Sequence, residues 1–135
     1  MLPTGATDLP LDPSAPRTAR VFVTHALASW GLEALVDAVV LLTSELVTNS
    51  LLHAASPAVL TITRTASGVR LGVSDSSRVG PVTRDRGEEA TNGRGLRLLD
   101  DLADEWGWET TPTGKTIWFL VHEGSDPWPS GQERP

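Results

Sequence analysis

The chain has 135 residues, enough to bury a core without disulfides or a structural metal. Its 39% hydrophobic and 21% charged residues give the balance of an ordinary globular domain. A formal net charge of -6, one lysine and no basic run speak against a nucleic-acid partner, and the absence of cysteine excludes disulfides and thiolate chemistry.

The first ten residues, MLPTGATDLP, lack the basic and apolar regions of a signal peptide, and no apolar run reads as a membrane span, so a soluble cytoplasmic protein is expected. Pro3, Pro10, Pro13 and Pro16 forbid a helix there. Residues 1–15 therefore read as a flexible leader, with room for an edge strand near Leu9–Leu11. A single domain is expected over 16–122.

From Arg17, apolar residues at Ala19, Phe22, Val23, Ala26, Leu27 and Trp30 recur at three and four, with Gly31 as the stop. A second helix is predicted from about Glu33 to Ala54. Leu35, Val39, Leu42 and Leu46 form one of its stripes and Val36, Val40, Val47 and Leu51 another. Apolar on several sides, it belongs at the centre of the fold. Ser56-Pro57 ends it.

Val59–Arg64 and Val69–Val73 alternate as strands about a Ser67-Gly68 turn. Continuing the alternation puts Asp75 on the core-facing side with Val69, Leu71 and Val73. Ser76 to Asn92 carries no apolar period and mixes both charges, which marks a functional lid or disorder. Gly93-Arg94-Gly95 opens a helix with Leu96, Leu99, Leu102 and Ala103 inward. Trp106–Glu109 and Lys115–His122 read as strands joined at Thr113-Gly114, and residues 123–135 as a disordered tail. Trp30, Trp106, Trp108 and Trp118 are expected in the core, and His25 and His122 to be structural. The order fits an α+β two-layer sandwich, a mixed sheet covered on one face by about three helices.

Glu45, Asn49 and His53 recur every four residues on the central helix and form a polar ridge. Burying an unpartnered carboxylate is costly, so the ridge should face a cavity, a cation or a polar ligand. An amide oxygen at Asn49 suits Mg²⁺, and Glu45 one turn earlier could take a proton from a hydroxyl or water nearby. The bland alternative is a solvated helix edge with an i,i+4 hydrogen bond. Asp75 is either a turn former or an acceptor for an exocyclic amine. Gly93-Arg94-Gly95 at a helix start suits an anion, though a plain glycine turn explains the same residues. There is no Walker-type loop.

Taken in order, Glu45-Leu-Val-Thr-Asn49 with His53, then Asp75, a lid, Gly93-Arg94-Gly95-Leu96 and Gly114-Lys115-Thr116 resemble the Bergerat-fold (GHKL, histidine kinase-like) ATP-binding superfamily. The likeness is nearest to the anti-sigma-factor serine kinases and their small actinobacterial relatives, and it spans roughly Pro16 to Leu120. It implies ATP and Mg²⁺ as cofactors, Asn49 as the metal ligand and Glu45 as general base. By the same likeness Asp75 and Thr116 recognise adenine, and Gly93, Arg94, Gly95 and Leu96 contact phosphate. His53 matches, more loosely, a basic residue near the phosphates. The implied partners are a sigma factor and a STAS-domain anti-sigma-factor antagonist, and a homodimer is implied too. One departure stands out: the family often continues Asp-x-Gly-x-Gly, where this chain has Asp75-Ser-Ser-Arg-Val79.

Three functions follow for test: a serine kinase switch, a non-catalytic module acting by sequestration alone, and an ATPase driving a larger machine. The last fits least, because no transducer region accompanies the domain.

Overall fold

The computed structural model describes residues 3–53, 56–77 and 97–124. Five strands form one sheet: β1 (Thr4–Leu9), β2 (Ala58–Arg64), β3 (Gly68–Asp75), β4 (Glu105–Thr111) and β5 (Gly114–His122), in the order β1-β2-β3-β5-β4. Helices α1 (Ala15–Ser29), α2 (Val36–His53) and α3 (helical over 97–102) supply the second layer. The result is the expected α+β sandwich.

Among the described residues every ladder is antiparallel, where a mixed sheet is expected from sequence. The reason lies in the connection that contains α3. β3 and β4 run in the same direction, as a helical crossover requires. However, β5 hairpins back from β4 and inserts between them, so no parallel pair is left in contact.

β1 is also more than a leader. Thr4 to Leu9 pair in register with Thr63 to Ala58, and Leu9 is fully buried. The strand lies earlier than the Leu9–Leu11 expected. TGATDL has little strand propensity of its own, and its conformation is borrowed from β2.

α1 starts with Pro16 in its first turn and stops at Gly31, whose φ is 72°. There the N–H of Gly31 donates to Ala28 O at 3.2 Å and that of Leu32 to Leu27 O at 2.8 Å. These are the paired bonds of a Schellman stop, with Leu27 and Leu32 both buried in the core beneath it. After one 3-10 turn, Glu33–Leu35, α2 runs across the sheet. Its Leu35 to Leu46 stripe is buried, as its periodicity predicts. The span Glu33–Leu52 is long and apolar enough to cross a membrane, contrary to the reading above. Half of it is buried in this core, which accounts for the same composition in a globular domain.

The core joins Leu60 and Ile62, Leu71 and Val73, Ile117 and Phe119 to the inward faces of α1, α2 and α3. Two tryptophans depart from expectation. Trp118 lies on the opposite sheet face, between Gly72 and Gly107, with the Arg70 guanidinium 5.2 Å from its ring centroid. Trp108 is on the core-side face of the edge strand but stays 44% exposed. Trp30 and Trp106 pack partly against the core.

Candidate functional site

The polar side chains gather where the C-terminal half of α2 meets the end of β3 and the start of β5. Three local features bring them together. α2 crosses the sheet with its polar residues toward that end, so Asn49 and Ser50 are both buried, at 8% and 6% exposure. The alternation of β3 carries Asp75 onto the core face, 8% exposed. Finally, Gly114 lets β5 begin flush against β3. A Cβ there would lie 1.8 Å from the Asp75 carbonyl oxygen, so no other residue fits without parting the strands.

That close start matters for the next residue. Lys115 is the register partner of Asp75 and shares its face. Its Nζ donates to Asp75 Oδ1 at 3.0 Å and Oδ2 at 3.1 Å, both side chains being nearly inaccessible. Ser50 Oγ donates to Oδ2 at 2.8 Å, and the Ser77 N–H donates to Oδ1 at 2.9 Å. Thus each Asp75 oxygen accepts twice.

Asn49 is the opposite case. Its Oδ1 is buried and has no hydrogen-bond partner among the described residues. An unpaired buried acceptor is costly, and a cation is one way to satisfy it. Glu45 lies one turn earlier on the same side and is partly exposed. Among the described residues no three His, Cys, Asp or Glu side chains cluster to cage a metal. A metal at Asn49 therefore takes few protein ligands, the habit of Mg²⁺ held with phosphates and water. The neutral hard oxygen of Asn49 fits that role.

Thr116 does not join this group. One residue on from Lys115, it faces the other side of the sheet, where its Oγ1 is 2.7 Å from Ser74 Oγ. There it lines a cleft of about 410 Å³ with Val59, Asp75, Ser76 and Thr113. Its hydroxyl is thus paired with Ser74 and not with the Asp75 carboxylate. Period-two alternation back from Phe119 and Ile117 puts Lys115, not Thr116, on the core face. His53 ends α2. Gly93, Arg94, Gly95 and Leu96, with most of the expected lid, lie outside the described residues.

The sequence reading missed Lys115 and Ser50. For Lys115 the signal was present, since the argument that placed Asp75 inward applies equally to β5. Ser50 gave none, being an ordinary small residue beside Asn49. His25 is exposed on α1, among Arg17, Val21 and Phe22.

A family model described as a histidine kinase-like ATPase domain matches residues 9–121. No curated protein matches the chain. ATP binding, usually with Mg²⁺, is the chemistry this family implies for the site.

Proposed function

The chain belongs to the histidine kinase-like ATPase family, and from that premise we propose an ATP- and Mg²⁺-dependent serine/threonine protein kinase of the anti-sigma-factor type. It sequesters a sigma factor in the cytoplasm and phosphorylates a STAS-type antagonist. The observation that carries this reading is the buried Oδ1 of Asn49, unpaired among the described residues, one helical turn from Glu45. An acid and a hard metal ligand on one helical side are the two protein groups that phosphoryl transfer to a hydroxyl needs.

When bound, the metal neutralises charge on the phosphate oxygens. Asn49 would hold it through Oδ1. Glu45 accepts the proton of the acceptor serine as its oxygen forms a bond to the γ-phosphorus. The bond from that phosphorus to the bridging oxygen breaks, and ADP leaves with the electron pair. Incubation with γ-labelled ATP and a STAS-type antagonist should label an antagonist serine. Glu45→Ala should slow transfer by about 10²–10⁴-fold. Transfer at an unchanged rate rejects Glu45 as the base.

A second reading, sequestration without phosphotransfer, is favoured by the occupied state of Asp75. Calorimetric titration separates the two. Nucleotide binding with no label on the antagonist supports the second.

A further inference from the structure

We propose that Lys115 is the residue that sets base selectivity in this site, by occupying the acceptor positions of Asp75 so that the nucleoside triphosphate is bound with little regard to its base. The inference rests on the nucleotide-binding reading above and on the place of the base at Asp75 that the family resemblance implies.

An ionised carboxylate offers about four lone-pair positions. At Asp75 all of them are taken. Oδ1 accepts from the Ser77 N–H and Lys115 Nζ, and Oδ2 accepts from Ser50 Oγ and Lys115 Nζ, all between 2.8 and 3.1 Å. An exocyclic amine approaching this carboxylate finds no acceptor left. To enter, it must displace either the serine donors or the ammonium.

Displacing the ammonium is the harder course. The Lys115 and Asp75 side chains are 5% and 2% exposed. Separating them strands two charges in a low-dielectric interior, which the single neutral hydrogen bond of an amine does not offset. Lys115 is thus an internal stand-in for the donor of the base. It is also held in place, because Gly114 fixes the start of β5 against the end of β3.

Selectivity between bases comes from such donors and acceptors. A site that pairs a specific group rejects the analogue lacking it, whereas a site with no free partner at that point does not discriminate. Affinity then comes from the phosphate and metal end, at Asn49. Removing the ammonium should free up to two acceptor positions on Asp75 and create a preference for a 6-amino over a 6-oxo purine.

Calorimetric titration of the full chain with Mg²⁺ and either ATP or GTP tests this, on the wild type and on Lys115→Thr. The wild type should bind the two with affinities within about threefold. Lys115→Thr, checked for folding by its thermal transition, should prefer ATP by about tenfold or more, the worth of a charge-assisted hydrogen bond. A wild-type preference for ATP beyond about threefold overturns the inference while leaving the nucleotide-binding reading intact, and so does a folded Lys115→Thr without preference. Failure of both nucleotides to bind either protein overturns the nucleotide-binding reading, and this inference with it. Should Lys115→Thr not fold, the wild-type ratio decides alone.

Discussion

Asn49 and Asp75 are buried to the same degree at one end of the fold, yet their hydrogen bonding is opposite. Asn49 Oδ1 has no partner among the described residues, whereas both oxygens of Asp75 accept two donors each. Adjacent residues on α2 make the contrast sharper. Ser50, the next residue, turns roughly 100° around the helix and spends its hydroxyl on Asp75. An unfilled buried acceptor weakens the fold unless something outside fills it, so it marks a place for a ligand. A filled one strengthens the fold and is closed to ligands. Two groups of the same size and depth thereby separate into an acceptor left open among the described residues and one already filled by the protein.

The largest expected effect breaks the filled site. Lys115→Met leaves the Asp75 carboxylate buried without its cation, and should cost about 3–5 kcal/mol in urea denaturation. Asp75→Leu combined with Lys115→Met should recover most of that, because the pair as a whole adds little over apolar packing. A single-variant loss below about 1 kcal/mol would mean that Asp75 is satisfied without Lys115. Gly114→Ala attacks the same site through the backbone. Its Cβ would collide with Asp75 O and Ser76 Cα, so β5 must move away, at about 1–3 kcal/mol. The loss should be smaller in a Lys115→Met background, since both changes act on one contact.

Asn49→Leu reverses the sign. It removes an unpaired polar atom from a buried position, and stability should hold or rise by about 1 kcal/mol. Mg²⁺-dependent nucleotide binding should be lost in calorimetry at the same time. A variant both destabilised and still able to bind would place Asn49 among the structural residues.

How much of this was readable in the sequence follows from which contacts are local. The 3.6-residue period of α2 and the alternation of β2, β3 and β5 were legible, because each is a pattern along one element. So were the inward face of Asp75 and the stop at Gly31. β1 was placed two to five residues late, because TGATDL has no pattern apart from its pairing with β2. The antiparallel sheet was hidden because strand insertion is a property of the whole topology. Trp118 looked like core because a large aromatic usually is, yet strand parity with Gly107 and Gly72 puts it outside. At the site, spacing set Glu45 and Asn49 on one side of α2 and alternation turned Asp75 inward, whereas their roles came only from the family resemblance. The Lys115 contact spans 40 positions and required the register of two strands.

The smallest effect comes from an exposed copy of the Asp75 arrangement. In Asp12-Pro-Ser14 the carboxylate accepts the N–H two residues on, at 2.8 Å, just as Asp75 does in Asp75-Ser-Ser77. Asp12 also accepts a serine hydroxyl, from Ser14, but it has no lysine and lies on the surface. The Ser14 hydroxyl, then its N–H, hold the Asp12 carboxyl below its ordinary value of 3.8. A folded-state value below the unfolded one means that the contribution is present above 3.8 and disappears as pH falls through the depressed value. Asp12→Ala should therefore lower the denaturant midpoint slightly at neutral pH, with no difference from wild type in acid, once Asp12 is protonated in the folded state. A gap that persists in acid would assign the effect to chain geometry before α1 rather than to charge. Equal midpoints at both pH values would show that the two serine donors add nothing without burial, and that the strength of the Asp75 site comes from Lys115 and the core around it.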